Sequence, residues 1–496
     1  MDGRDRRWVW LPWGLALLAF LLRLYHLGRQ SLWVDELFTL QSIHRLRELG
    51  AVSLLNDLHG PLYTGAGALL SSILAGERLR VLSALAGALC VVPVHAWARR
   101  AADERTARWV AVLAALSPFA VWYGQELRNY SFVLLFASCA FLAMESWRHR
   151  DPGWKGFSAF VICAWLGFLS NQTFVLFVIG AGVSLLVANS GRRLRCLVWL
   201  GLAALAILLL SLPWVLSFVS QMAPQRLVLD MPKWDEAPLR GETTFTPLAL
   251  PYTFFALLGG FSLGPSLAEL HQGTGRALMA HWPAIGAAGL LFGLLLAIGW
   301  LRLPKDRRWE SLSLVIVVLG LASFLAIKNF KVYNVRYVSM LWPLVLGLAA
   351  HGALAFPRRR LRPFLAAALL AAFVLALSQH YWNPAYGKED CRGAADRMES
   401  LAVATDLIVI GVVGDPFRHY YAGPGRLGCL WPGQSRKQID EKLTQWGRPP
   451  GFWLVSAREW EWGGTAGGLR DDFPEYRVVD EIPLQGIRIF RMDKPE

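Results

Sequence analysis

WVWLPWGLALLAFLLRLY (Trp8–Tyr25), followed after a five-residue link by SLWVDE (Ser31–Glu36), decides the reading of this chain. The first stretch is apolar except for Arg23 near its end and long enough to cross a bilayer. Arg4, Arg6 and Arg7 precede it, which places its N-terminal end on the cytoplasmic side. It lacks a small-residue cleavage site, so it reads as a retained helix and not as a signal peptide. The adjacent carboxylates Asp35 and Glu36 then emerge on the opposite face, close to the membrane surface, a place suited to chemistry on a lipid-borne substrate.

The rest of the chain repeats that character. Of 496 residues, 55% are hydrophobic and 17% charged, and the mean hydropathy is +0.37. No water-soluble domain needs so many long apolar runs, so the fold class is a polytopic α-helical membrane protein. A net charge of +14 would otherwise point to nucleic acid. The basic residues sit in short loops between apolar runs, where they set topology and meet anionic headgroups, so a nucleic-acid partner is excluded and membrane lipids are expected.

About eleven spans are predicted, near 8–25, 79–98, 109–123, 130–147, 157–169, 173–189, 197–219, 281–301, 311–327, 336–355 and 363–381. The N-terminus and the loops after even-numbered spans hold 21 basic residues, against three in the short loops 124–129 and 328–335. That asymmetry predicts a cytoplasmic N-terminus and an outer C-terminus. The apolar stretches 61–75 and 246–264 break the alternation if they cross, so they read as surface-lying or re-entrant pieces walling an outer cavity. Leu37–Leu49 mixes apolar and basic residues, as a surface helix does.

From residue 382 long apolar runs stop. The boundary expected is a transmembrane domain over 1–381 and an extracytoplasmic α/β domain over 382–496. Residues 390–402 suit a helix, 406–413 and 452–456 strands, and 477–480 with 487–491 a closing hairpin. Cys391 and Cys429 lie in this part, and an oxidising compartment would make them a disulfide candidate. The other four cysteines fall in or at the ends of spans and read as buried thiols.

Four outward clusters carry the candidate chemistry. Asp35 reads as a general base for an acceptor hydroxyl or amine, and Glu36 as its neighbour that orients the acceptor, raises the Asp35 pKa or binds a cation. The same pair also fits the acidic N-terminus of a helix. His59-Gly60-Pro61-Leu62-Tyr63 is a turn whose His59 and Tyr63 suit hydrogen bonds to sugar or phosphate, or simple interfacial packing. Gln125-Glu126-Leu127-Arg128-Asn129-Tyr130 puts Glu126 and Arg128 at membrane depth, where they pair with each other or face a cavity. Lys328, Lys331, Tyr333, Arg336 and Tyr337 form the last cluster, suited to the developing charge of a leaving phosphate or to snorkelling. The outward loop 220–245 has the size of a lid but no specific pattern.

With Trp33-Val34-Asp35-Glu36, the turn at 59–63, the stretch 125–130 and Tyr333-Asn334-Val335-Arg336-Tyr337 in this order, the chain resembles bacterial members of the glycosyltransferase-C superfamily. Within it, the chain is similar to the branch of lipid A aminoarabinose transferases and protein O-mannosyltransferases. The second motif there usually reads His-Pro-Pro-Leu-Tyr, and Gly60 in place of the first proline loosens the turn. The resemblance implies a bundle with a cavity open to the outer leaflet of the bacterial inner membrane, fed by a polyprenyl-phosphate sugar. It implies Asp35 as the catalytic acid of the first outer loop, and Glu126, Arg128 and Arg336 as cavity residues. Metal dependence differs within the superfamily, so no cofactor is assigned and a divalent cation stays open.

The expectation is an inverting membrane glycosyltransferase that moves a sugar from polyprenyl phosphate to a lipid, glycan or protein acceptor. Asp35, Glu36 and Glu126 would be the catalytic carboxylates, and His59, Tyr63, Arg128, Lys328, Lys331, Tyr333, Arg336 and Tyr337 the substrate-binding groups. A flippase of lipid-linked sugars fits less well, because the charges gather at one surface and no repeat is present. A non-catalytic envelope scaffold is the third reading.

Overall fold

The computed structural model describes residues 10–55, 57, 60–149, 154–189, 191, 193–227, 245–328, 332–431, 434–458 and 468–495. His59, Lys331 and most of the loop 220–245 lie outside these. Each of the eleven apolar stretches falls on a helix or a bent helix pair. Among the described residues seven helices are long and apolar enough to cross by themselves, or eight if the bent pair Glu104–Leu116 and Pro118–Gly124 is one span. Leu11–Leu24, Trp154–Ser170 and Phe174–Ala188 are shorter apolar helices at the remaining predicted positions.

Among the described residues three long helices form the inside of the bundle. Gly76–Ala101, Tyr130–Arg148 and Val335–Leu354 bury most of their surface, whereas Arg193–Ser220, Gly275–Leu301 and Arg359–Trp382 turn most of theirs outward. In lipid, helix association rests on close packing, which small side chains permit. Gly299 and Gly352 show this: a β-carbon on Gly352 would stand 1.9 Å from the Leu295 carbonyl oxygen, and one on Gly299 2.0 Å from that of Leu348.

Two features aim the bundle at one end. Pro118 breaks the third predicted span by 46°, and the Ser117 hydroxyl accepts from the Ala120 N–H and the Trp342 indole at the break. Arg23, fully buried in the first span, donates to the Ala19 and Ala115 carbonyls, the latter left free by the bend. Gly87 and Gly124 leave its side chain room, since a β-carbon on either would meet it below 3 Å. The bend delivers the turn 125–129 to the end of the bundle where the Val34–Leu49 helix lies. At the opposite end, Arg148 pairs with Asp306 and Glu310, and Arg307 with Glu145.

The pieces predicted not to cross are short helices, Pro61–Leu70 and Ala249–Gly259. At 1.5 Å per residue neither reaches across the ~30 Å hydrocarbon layer. The Val34–Leu49 helix packs over a separate small core of Leu32, Leu37, Leu40, Ile43, Tyr63, Leu79, Leu127 and Phe132.

The C-terminal part forms a five-stranded sheet, β1 Leu407–Gly411, β2 Arg426–Leu430, β3 Gly451–Ala457, β4 Arg477–Leu484 and β5 Ile487–Asp493, in the order β2-β1-β3-β5-β4. β2, β1 and β3 are parallel, and β5 and β4 add antiparallel strands. β1 and β3 are buried on both faces, as their continuous apolar sequences require, with helices on each side. The exposed edge β4 carries Arg477, Asp480, Glu481 and Pro483, which discourage further pairing.

The cysteine expectation needs correction, because Cys391 and Cys429 are both free thiols. Cys391 opens the Cys391–Leu401 helix beside Glu389 and Arg458, at the end of β3, while Cys429 lies on β2 with β1 between.

Replacing Gly352 with Val should lower the thermal midpoint of the detergent-purified protein, at a cost of about 1–3 kcal/mol from overpacking. Gly289 on the same helix as Gly299 has open space where a β-carbon would go, so Gly289→Val should leave the midpoint unchanged.

Candidate active site

Asp35 and Glu36 occupy the first turn of the Val34–Leu49 helix, where acids suit the helix dipole. Being consecutive, they point about 100° apart around the helix axis, and they meet different partners. The Asp35 carboxylate lies 3.2 Å from Arg336 and 3.7 Å from Arg128. Arg128 also donates to the Asp35 backbone carbonyl at 2.9 Å and to Thr39 at 3.2 Å. Both guanidinium groups lie 5.7 Å from the Tyr130 ring centre, and Arg336 stacks on Tyr337 and donates to its hydroxyl at 3.3 Å. One carboxylate thus faces two arginines backed by aromatic faces, and the Nε of each guanidinium makes no hydrogen bond among the described residues.

Glu36 turns inward and is completely buried. Arg80 grips it bidentately, Nε to Oε1 at 2.8 Å and Nη2 to Oε2 at 2.7 Å, and Leu127 N–H donates to it at 2.6 Å. Lys388 approaches at 3.4 Å, and the Trp33 N–H completes the set at the same distance. Burial would push this carboxyl up, but the charges of Lys388 and Arg80 outweigh it and hold the pKa down at about 2. Arg80 also donates to the carbonyls of Leu27, Gln30 and Ser31, so it fixes the link before the helix. Glu36 therefore holds the site's frame, and its charge is fully taken up.

Glu126 does not pair with Arg128; it meets Lys388 at 2.9 Å. The Tyr63 hydroxyl is spent on Ser83 at 2.6 Å, and Ser83 in turn donates to the Arg128 carbonyl, so Tyr63 packs behind the 125–129 turn. Tyr333 hydrogen-bonds Thr253 at 2.8 Å, which ties the Ala249–Gly259 helix to the last cluster. Lys328 is exposed at the end of its helix. Gly60 has φ +127°, and a β-carbon there would lie 2.0 Å from the Ser170 carbonyl. Proline, fixed near φ −65°, cannot take that conformation, which explains glycine at this position.

Arg80 and Lys388 escaped the sequence reading. Arg80 offered one signal, a charge opening an apolar span, whereas Lys388 lies in a segment with no motif. Among the described residues no group of three or more His, Cys, Asp or Glu gathers as a metal would require.

Residues 61–216 match the family model "Dolichyl-phosphate-mannose-protein mannosyltransferase". The archaeal oligosaccharyltransferase AglB from Archaeoglobus fulgidus, solved with an inhibitory peptide and a dolichol-phosphate, superposes with a TM-score of 0.54 at 14% identity, over 99% of this chain and 74% of that one. The apo form of an A. fulgidus oligosaccharyltransferase gives 0.51 at 14% identity, over 100% and 75%. ArnT from Cupriavidus metallidurans, bound to undecaprenyl phosphate, gives 0.48 at 15% identity, over 98% of each chain. The oligosaccharyltransferase matches establish a shared fold. Comparison with the curated proteins gives no match.

Glu36→Gln should cost on the order of 3–5 kcal/mol, because it leaves Arg80 buried without its counter-charge. The folded-state pKa is depressed, so the carboxylate's contribution is complete above the ordinary value of 4.5 and lost as pH falls through about 2. The gap in thermal midpoint between wild type and variant should be constant at neutral pH and narrow below pH 4.5.

Proposed function

We propose that this chain, a multi-pass membrane protein of the glycosyltransferase-C superfamily, transfers a sugar from a polyprenyl-phosphate donor to an acceptor on the membrane face that carries Asp35. The observation that carries this reading is the Asp35 carboxylate between Arg336 and Arg128 at the end of the bundle. The family model and the dolichol-phosphate seen with AglB support a lipid phosphate as the donor's carrier. The basic loops support the outer face of a bacterial inner membrane as the location.

In this mechanism the acceptor oxygen or nitrogen attacks the anomeric carbon while the bond from that carbon to the phosphate oxygen breaks. The acceptor's proton passes to Asp35, and the bonding pair leaves with the lipid phosphate. A single displacement inverts the anomeric centre. The leaving phosphate gains negative charge, and arginines with planar, multiple donors stabilise it where water is scarce. Arg336 holds a double place here. In the resting arrangement it neutralises Asp35, and a phosphate drawn to Arg336 and Arg128 competes for the same cations. Donor binding then loosens Asp35 and raises its basicity, so the base is freed when a substrate is present. Tyr130 and Tyr337 keep the guanidinium planes oriented during the exchange. Glu36 and Glu126 act through position, since both are paired with cations.

Asp35→Asn should reduce transfer from a radiolabelled polyprenyl-phosphate sugar by ~10²–10⁴-fold while the protein still binds the lipid. Wild-type turnover by that variant would sink the assignment. Arg336→Lys keeps the charge but not the fork, and should lower kcat by ten-fold or more with expression unchanged.

A further inference from the structure

A second polar space lies behind the Glu36–Arg80 pair. It is a cavity of about 260 Å³ between the link 26–31, the end of the bent span, the end of the Arg359–Trp382 helix and the segment 383–390. That is roughly the room of nine waters, enough for one sugar ring. Asp35, Arg128 and Arg336 do not line it; Glu126, Lys388, Trp122, His380, Tyr381 and Trp382 do.

His380 stands on the cavity wall with its Nε2 already committed. Gln125 donates through its amide nitrogen to the carbonyls of Arg23 at 3.0 Å and Tyr25 at 2.7 Å, which fixes the amide's orientation. Its oxygen therefore faces His380 Nε2 at 2.8 Å and accepts from it. In the neutral ring the proton is thus on Nε2, and Nδ1 is an acceptor. Among the described residues Nδ1 makes no hydrogen bond, and His380 is only 8% exposed.

The walls narrow the choice. Arg29, Arg80 and Lys388 are balanced by Glu126 and Asp390 on the wall and Glu36 behind it, so no net charge selects an ion. The Trp122 and Tyr381 rings each lie beside His380, at 5.4 and 5.0 Å, and Trp382 stands next at the mouth, 62% exposed. Mixed donors and acceptors flanked by aromatic faces suit a neutral polyhydroxyl ring, whose hydroxyls both give and take hydrogen bonds.

We propose that this cavity binds a neutral sugar unit of the acceptor, one removed from the transfer point, so that the acceptor is a glycan or glycolipid. The sugar's identity as acceptor rests on the transferase reading, but its binding is measured separately. The full chain in detergent would be titrated with methyl hexosides and methyl N-acetylhexosaminides by saturation-transfer NMR. Wild type should bind one of these in the millimolar range. Trp382→Ala, at an exposed position, and His380→Leu should each weaken it ten-fold or more. Asp35→Asn should bind the sugar as wild type does while losing transfer. Trp382→Ala should also raise KM for a glycan acceptor with kcat kept. Absence of sugar binding in wild type, with Asp35-dependent transfer intact, would overturn the cavity proposal and leave the transferase reading standing. Binding lost in Asp35→Asn but untouched in Trp382→Ala would place the sugar at the catalytic carboxylate and overturn it equally. Displacement of the sugar by inorganic phosphate or ammonium in a manner that Trp382→Ala does not alter would do the same.

Discussion

The buried pair of Glu36 and Arg80 is the constraint on which the site depends. An ion pair withdrawn from water persists only when its remaining donors and acceptors are satisfied. Here the satisfaction comes from three parts of the chain: the carbonyls of the 27–31 link with the Trp33 N–H, the Leu127 N–H and the Lys388 ammonium. One carboxylate thus sets where the surface helix begins, where the 125–129 turn stops and where the C-terminal domain enters. Asp35 is placed by that frame and spends nothing on it, which leaves its carboxylate to the arginines.

The interface with the C-terminal domain continues the same polar logic. Tyr420 accepts from the Leu32 N–H and donates to Glu77, Arg392 pairs with Glu77, and Ser31 lies between Asp390 and the Arg392 N–H. None of these contacts is large or apolar. Their effect is to fix orientation, since each directional bond tolerates little displacement. The domain is held against the membrane part near Asp35, its arginines and the polar cavity lined by Lys388 and Asp390.

Much of this was legible in the chain, for a physical reason. A bilayer demands long apolar runs and basic loop ends, so the spans declare themselves without periodicity. The strands at 407–411 and 451–457 are apolar runs and 487–493 alternates apolar with charged residues, so they were visible too. β2 was not, because Arg426-Leu427-Gly428-Cys429-Leu430 is short and glycine-interrupted. The Arg436–Gln445 helix did carry a signal, the capping pair Ser435 and Gln438, though its face is largely polar. In the site, residue types were readable but partners were not. Arg336 reaches Asp35 across 301 positions and Lys388 reaches Glu36 across 352, and no local pattern encodes such a pairing.

Lys388 adds an order in time. It is synthesised after every span, so the nascent bundle first holds Glu36 with Arg80 and Glu126 without its lysine. Domains fold as they emerge, N-terminal parts first. The newborn membrane domain therefore carries a surplus of negative charge at its frame until the last domain docks and supplies the missing cation. The charge balance at Glu36 and Glu126 is thereby tied to completion of the chain's own translation, and a chain interrupted before that lysine would be left unfinished at its centre as well as at its end.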